Sequence, residues 1–541
     1  MQKNEVLSLT AEALGADMEG VCRHEGMAVF VPGLLPGESA AVRIVRVEKR
    51  YAFGRMESTP PVSSPDRVFP DCPAFPRCGG CTARHMSYPA TLEAKRQHIR
   101  DCFARIGHLQ VDVPPVLGME SPFAYRNKTA LPVAGTVQDP QLGFYAPRSH
   151  RLIPAMGCPN AMAPTPEIAL ALQQWMKQFR VAPYAEEENR GFLRHLVIRV
   201  NRRQEAMVTL VGRGTSLPHA KELWSMLAPL GVVSLYYNEN SRSTNVIFGD
   251  RFHLLYGRET LSDVLCGLQF ELSPASFFQV NPSQTEVLYA TVLDFADLRA
   301  EDTLCDVYCG AGTISLTMAR RCARVTGIEV VKPAVINARQ NALRNGITNA
   351  TFFEGRAEDL LPRMIQDGLR PNVIVVDPPR KGLEPSVIDA IAVAAPDRLI
   401  YVSCNPATQA RDAALLDEKG YGIRKIQPVD MFPFTSHVET VCLLSKIKSA
   451  PHIDIDLDMT ELDVTKAETK ATYEEIKTYV LEHTGLKVSH LYIAQVKTKH
   501  GIIERDCYNK PKTEGNHVPQ CPPEKEKAIE DALRHFQMIT D

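Results

Sequence analysis

The stretch DVYCGAGTISL, residues 306 to 316, decides the fold. An apolar strand runs into Asp306, glycines at 310 and 312 make a tight turn, and a helix begins near Thr313. Glycine at those two places lets backbone approach a nucleotide-like ligand closely. The next strand, TGIEV, ends in Glu329, 17 residues after Gly312, where an acidic side chain can accept both ribose hydroxyls. The loop lacks the third glycine of a GxGxxG pyrophosphate turn, which favours an adenosine ligand without a diphosphate.

On either side of this stretch, from about 285 to 447, strand and helix signals alternate: DTLCDVYCG, TISLTMARRC, RVTGIEV, AVINARQNALRNG, NVIVVDPP, LIYVSC and VCLLSKI. Regular βα alternation with continuously apolar strands predicts an α/β domain built on a doubly wound, mostly parallel sheet. Residues 1 to 65 instead alternate turn residues with short β-rich runs and read as a small antiparallel barrel or meander. The Pro- and Ser-rich STPPVSSPDRVFPDCPAFP marks a linker into a cysteine cluster. From about 90 to 270, helical patterns (YPATLEAKRQHIRDCFARIG, TPEIALALQQWMKQF) mix with strand-like ones (RHLVIRV, EAMVTLVG, SLYYNEN), giving a mixed α+β region. Beyond 450 an acidic stretch, IDIDLDMTELD, precedes about 70 residues that read as a small α+β module, with SHLYIAQVK as strand and KEKAIEDALRHF as helix. The expected domains are therefore 1–65, 66–275, 276–449 and 450–541.

A chain of 541 residues is too long for one hydrophobic core, which agrees with this multidomain division. Hydrophobic content of 44% and charged content of 23% exclude a disordered or fibrous chain. No apolar run approaches the roughly 18 residues of a membrane span, and MQKNEVLSLTAEAL lacks a basic region followed by an apolar stretch, so a cytoplasmic location is expected. The net charge of −2 exerts no overall pull toward nucleic acid. Local runs are basic, however: RIVRVEKRYAFGR (43–55), ARHMSYPATLEAKRQHIR (83–100) and RHLVIRVNRR (194–203). Each reads equally as the solvated face of an ordinary element. Fourteen cysteines in a reducing compartment argue against a disulfide framework and for metal, cluster or catalytic thiols.

Asp377 in VIVVDPPRKGL closes another strand at the carboxyl edge, where open α/β sheets bind ligands, and two prolines fix a rigid extended turn there. A plain strand-ending turn is the alternative. LIYVSCNPATQARD places Cys404 directly after an apolar strand, with Asn405 as helix cap and Pro406 as first helical residue. A thiol beside a helix N-terminus gains thiolate character, although a lone cysteine is more often a buried structural residue. Glu439, at the start of the last strand in HVETVCLLSKI, is either a solvated strand-start residue or a desolvated base. A nucleophilic Cys and a Glu in one methyl-donor pocket suit methylation of an unactivated pyrimidine carbon. Uracil carbon 5 attacks a sulfonium only after thiolate addition at carbon 6 makes an enolate, and a base must then remove the carbon 5 proton so that the thiolate leaves.

FFQVN (277–281), DVYCGAGTISL, GIE, DPPRKGL, VSCNP and HVET occur in an order that resembles the motif series of the RNA 5-methyluridine methyltransferases. The resemblance covers about residues 5 to 447 and is strongest to the 23S ribosomal RNA branch, which carries an N-terminal TRAM domain. It implies a Rossmann-like methyltransferase domain in which Gln279, Tyr308, Glu329 and Asp377 line the S-adenosylmethionine site, Cys404 is the nucleophile and Glu439 the proton acceptor. Tyr308 also reads as an aromatic wall against the ligand, although core packing is the commoner role of a tyrosine.

CPAFPRCGGC supplies Cys72, Cys78 and Cys81, and Cys158 in AMGCPN stands as a fourth ligand. Spacing alone suits zinc and an iron-sulfur centre equally. The C-x5-C-x2-C run with a distant Cys resembles the 4Fe-4S site of the ribosomal RNA branch, which implies a structural or RNA-positioning cluster, since the methylation needs no redox step. Chemistry at carbon 5 also requires the uridine to be flipped out or presented in a loop. The TRAM-like barrel and its basic strand would track phosphates. FAYRNK (123–128) resembles a family segment near the target, which makes Arg126 and Lys128 candidates, and Phe277 either stacks near the flipped base or packs in the core.

The expectation is a monomeric enzyme acting on ribosomal RNA, with no DNA or membrane partner. A transfer RNA uracil-5-methyltransferase is the nearest alternative, and the TRAM-like segment and cysteine cluster count against it because that branch typically lacks both. A noncatalytic RNA-binding assembly factor would not need Cys404 and Glu439. Methylation of an exocyclic nitrogen, suggested by the similarity of DPPR to DPPY-type loops, would need no nucleophile. Cys507 and Cys521 in the tail read as loop thiols rather than metal ligands.

Overall fold

A computed structural model describes residues 1–447 except 59 and 61, together with residues 473–500, 521–536 and 538–539. Two compact units divide the chain, Met1–Lys448 and Ser449–Asp541. In the first, strands Val6–Leu14, Gly20–His24, Met27–Val31, Ser39–Val47 and Tyr51–Met56 close into a barrel. Its alternation is visible in Ser39–Val47, where Ala40, Val42 and Ile44 point into the barrel core and Arg43 and Arg46 point out.

The following region builds a seven-stranded sheet whose centre, Leu193–Val200 beside Ala206–Gly212, is buried along almost its whole length. Helix Thr165–Phe179 covers it with Ile168, Leu172, Trp175 and Met176. Helix Tyr88–Arg105 falls within the same stretch of sequence yet packs elsewhere. It buries Ile99, Cys102 and Phe103 in a core shared with Val307, Ile328 and Val376 of the next sheet. The hairpin Leu261–Leu265/Leu268–Leu272 likewise sends Leu268 and Phe270 into the core that contains Phe278 and Leu288.

That next sheet has seven strands in the spatial order Ala350–Glu354, Arg324–Glu329, Thr303–Val307, Val373–Val376, Arg398–Ser403, Glu439–Lys446, Tyr421–Val429. The first five are parallel, and Glu439–Lys446 runs antiparallel between its two neighbours. Helices on both faces bury its near-continuous apolar strands, as a doubly wound arrangement requires. The edge strand Tyr421–Val429 has no signal of this kind: Arg424 and Lys425 face solvent, as is usual where an edge must be kept from pairing.

Among the described residues of the second unit are helices Tyr473–Thr484, His490–Lys499 and Pro523–His535, packed through Ile476, Val480, Ile493, Val496 and Leu533. SHLYIAQVK, expected as a strand, is thus a helix. Ser489 caps it by accepting from the Tyr492 amide, and Ile493 and Val496, three residues apart, share its buried face. Cys507 and the acidic stretch near 453 lie outside the described residues, and Cys521 is half-buried. No helix of the described residues is long and apolar enough to cross a membrane.

Candidate active site and cysteine cavity

Strand polarity assembles the site. Val307, Glu329, Val376 and Ser403 end four parallel strands at one edge of the sheet, so Tyr308, Asp377 and Cys404 follow at that edge. The antiparallel strand starts there, and pairing of Ser403 with Thr440 brings its first residue, Glu439, alongside Cys404. Gln279, Tyr308, Glu329, Asp377, Cys404 and Glu439 all line one cavity of about 1140 Å³.

Tyr308, Gly310 and Gly312 have φ of +70°, +55° and +78°. The turn is therefore left-handed three times within five residues, which costs about 1–3 kcal/mol at the non-glycine Tyr308. The Tyr308 and Cys309 amides donate to Ile328 O, and the Gly310 amide donates to Glu329 Oε2 at 3.0 Å. Glu329 Oε1 accepts from the Val331 amide at 2.7 Å, so two backbone donors hold the carboxylate at the cavity rim. A Cβ on Gly312 would sit 3.1 Å from both Ala338 Cβ and Phe352 Cζ.

The deeper wall is crowded with acids. Burial pushes Asp306 up to about 7, even though Ser315 Oγ donates to it. Burial also pushes Asp377 up to about 7. Glu439 is raised well above the usual carboxylate range by burial and then by Asp377, with Arg380 opposing. The Cys404 thiol is raised by burial and by Glu439 and Asp377, again opposed by Arg380. Asn405 caps the helix Pro406–Asp417, accepting from the Ala407 amide, while its Nδ2 donates to Arg380 O at 2.9 Å. The cap thereby ties the Cys404 loop to the DPPR turn. Arg380 and His437 line the same cavity, with Arg380 Nη2 3.5 Å from His437 Nε2. Both stand inside motifs quoted from the sequence, DPPRKGL and HVET, but neither was given a role, because a motif's spacing does not show which members turn inward.

Phe277 is 73% exposed at the cavity and so is not a core residue. Arg126 lines this cavity and also a second one of about 660 Å³, whereas Lys128 lines only the second. Cys72, Cys78, Cys81 and Cys158 all border that second cavity, together with Arg84. The Gly80 amide donates to Cys78 Sγ at 3.3 Å and Asn160 Nδ2 to Cys81 Sγ at 3.5 Å. Among the described residues no three His, Cys, Asp or Glu side chains form a group that could hold a metal ion. Four thiols on one cavity, two of them (Cys78 and Cys81) with an N–H donor on sulfur, and Arg84, Arg126 and Lys128 on the same lining do fit, in chemical kind, an anionic iron-sulfur group.

A mostly parallel, doubly wound sheet with a glycine turn and a ligand cavity at its carboxyl edge defines a Rossmann-like methyltransferase, here carrying an N-terminal TRAM barrel. Comparison with known proteins narrows the class. The family described as tRNA (Uracil-5-)-methyltransferase matches residues 256–447, and the TRAM domain matches residues 2–56. A Clostridium tetani protein described as an uncharacterized RNA methyltransferase is 42% identical over 450 residues, which is 82% of this chain and 97% of that protein. Another so described, from Halalkalibacterium halodurans, is 43% identical over 448 residues, covering 82% and 98%. The solved Pyrococcus abyssi tRNA (uracil-54, C5)-methyltransferase, in complex with S-adenosyl-L-homocysteine, is 28% identical, covers 81% of this chain and 99% of its own, and superposes with a TM-score of 0.66. The chain belongs to the S-adenosylmethionine-dependent RNA (uracil-5-)-methyltransferase family.

Proposed function

We propose that the protein methylates carbon 5 of a uridine in 23S ribosomal RNA, with Cys404 as nucleophile and Glu439 as proton acceptor, and with Gln279, Tyr308, Glu329 and Asp377 holding S-adenosylmethionine. The observation that carries this reading is the convergence of all six side chains on one cavity, with a cysteine and a desolvated glutamate on adjacent strands. When bound, the cofactor supplies an electrophilic methyl group and one positive charge.

Cys404 Sγ adds to carbon 6 of the uracil, and the carbon 5–carbon 6 π electrons move to oxygen 4. Carbon 5 then takes the methyl group, and the Glu439 carboxylate accepts the carbon 5 proton. The electrons of that C–H bond restore the double bond as the carbon 6–sulfur bond breaks and the thiolate is released. A raised Glu439 pKa makes its ionised form a stronger base, which suits removal of a carbon-bound proton. Arg380 opposes the acids around Cys404 and favours its thiolate. Phe277, exposed at the cavity, stacks on the extruded base.

Cys72, Cys78, Cys81 and Cys158 would hold a 4Fe-4S cluster, which supplies a rigid covalent cross-link between segments distant in sequence. Iron and sulfide analysis of anaerobically purified protein tests this. The preference for ribosomal RNA rests on the TRAM barrel joined to this cysteine set. A second reading, transfer RNA as substrate, is favoured by the P. abyssi structure, whose likeness extends over 81% of this chain; the extent of the shared region therefore does not separate the two RNA classes.

The test is incubation with S-adenosylmethionine and unmodified ribosomal or transfer RNA, with Cys404→Ala in parallel, and mapping of 5-methyluridine by mass spectrometry. A Cys404-dependent product on 23S RNA is expected. Product on transfer RNA alone would transfer the assignment to the second reading, and product from Cys404→Ala would remove the covalent mechanism.

A further inference from the structure

Glu439 is reached through the turn 430–438, which also puts Phe432 and His437 on the catalytic cavity. At its middle, Phe434 has φ +61° and is 7% exposed. A buried phenylalanine in the left-handed region costs about 1–3 kcal/mol and persists only where its surroundings over-determine it.

Those surroundings come from the cysteine segment. The amides of Thr82 and Ala83, directly after Cys81, both donate to Phe434 O at 3.0 Å. Arg84 lies over the Phe434 ring, 4.6 Å from its centroid, and Tyr88 and Phe123 flank the ring at 5.6 and 5.7 Å. Arg84 is 2% exposed and is itself fixed by Asp71 and Asn160. The rest of the turn is held as tightly: Tyr125 donates to Pro433 O, and Lys95 donates to both Asp430 and Phe432 O. From Phe432, Thr435 Oγ1 accepts the His437 amide at 3.2 Å while donating to Phe432 O at 2.8 Å, so the constraint runs within two residues of Glu439.

We propose that Phe434 is a positioning residue for proton removal: clamped in a strained backbone state by Thr82–Arg84, it sets the Glu439 carboxylate against carbon 5 of the methylated adduct. This rests on the reading of Glu439 as proton acceptor. Phe434 does not border the cavity and touches no reacting atom. Its loss therefore spares thiolate addition and methyl transfer and slows the step in which the carbon 5 proton passes to Glu439 and the carbon 6–sulfur bond breaks. What accumulates is the covalent RNA–protein adduct already carrying the new methyl group.

The experiment compares full-length wild type, Phe434→Gly, Phe434→Tyr and Glu439→Gln for RNA binding, S-adenosylmethionine binding, turnover, and denaturant-stable adduct whose RNA is analysed for methylation. Glycine tolerates the positive φ but removes the ring. Phe434→Gly should bind RNA and cofactor within about twofold of wild type while turnover falls roughly 10- to 100-fold, the scale of a misplaced reacting group. Methylated adduct should accumulate, and Phe434→Tyr, which keeps the ring, should restore turnover. Should Phe434→Gly fail to fold, Phe434→Leu carries the same comparison.

Unchanged turnover overturns the proposal, as does a fall in turnover without methylated adduct or with a matching loss of RNA binding. If Glu439→Gln accumulates methylated adduct and the Phe434 variants do not, only the positioning role fails. If Glu439→Gln accumulates none, the proton-acceptor assignment fails with it.

Discussion

Ser403 pairs with Thr440 across an antiparallel ladder, which sets Cys404 and Glu439 side by side where the sheet meets the cavity. Beyond burial, the negative charge of Glu439 does most to raise the Cys404 thiol. Glu439→Gln removes that like charge at no change in size, so Cys404 should ionise at lower pH than in wild type. The effect belongs to pH values at which Glu439 itself carries charge, above its raised pKa. Iodoacetamide labelling of the Cys404 peptide, followed by mass spectrometry across pH, should show faster alkylation in the variant at alkaline pH. Equal rates would mean that the two groups do not sense one another.

Gly312 occupies φ +78° with Ala338 Cβ and Phe352 Cζ each 3.1 Å from where a Cβ would lie. Gly312→Ala therefore meets both backbone strain and crowding, at a cost of about 1–3 kcal/mol. The turn beside Glu329 should shift as well, through the Gly310 amide that donates to its carboxylate. Denaturant unfolding and S-adenosylhomocysteine binding should both weaken, the second because the altered turn lies on the cavity.

Phe277 separates stability from substrate binding. At 73% exposure it contributes little to a core, so Phe277→Ala should change unfolding free energy by no more than about 0.5 kcal/mol. Loss of one base-stacking surface costs about 1–3 kcal/mol in single-stranded RNA recognition. RNA affinity, or KM for an RNA hairpin, should accordingly weaken about 5- to 150-fold while cofactor binding stays unchanged. A stability loss larger than the RNA effect would return Phe277 to a packing role.

Much of this was legible in the sequence because periodicity and strand ends are local properties. Glu329, Asp377 and Cys404 each end or follow an apolar strand, Asp306 stands one residue before the end of another, and a parallel sheet delivers all such positions to one edge. The partner of an amphipathic helix is a different matter. Helix Tyr88–Arg105 shows in its sequence that Ile99 and Phe103 face a core, but not that the core belongs to a sheet beginning some 200 residues later. SHLYIAQVK misleads for a related reason: in so short a run Leu491 and Ile493 alternate as in a strand while Ile493 and Val496 keep a helical spacing, and Ser489 decides between the two as a helix cap. Arg380 and His437 lay in recognised motifs, and Phe434 stood beside one, yet what each does depends on contacts across the fold.

The acids of the cavity should make cofactor binding pH-dependent. Burial raises Asp306 and Asp377 to about 7 and Glu439 above its usual range. For a carboxyl whose folded pKa is raised, the charged form is disfavoured in the folded state. Its cost to stability is absent below the unfolded pKa near 4, grows as pH rises toward 7, and is full above that. A sulfonium bound among these groups stabilises their charged forms and lowers their pKa values, so binding releases protons. S-adenosylmethionine affinity should rise with pH up to about 7 and level off above it, by as much as one log unit per pH unit for each proton released. S-adenosylhomocysteine has the same adenosine and amino acid groups but no sulfonium charge, and its affinity should depend less on pH. Isothermal titration in buffers of different ionisation enthalpy counts the protons directly. Equal proton release for the two ligands would show that the sulfonium does not sit within reach of these carboxylates.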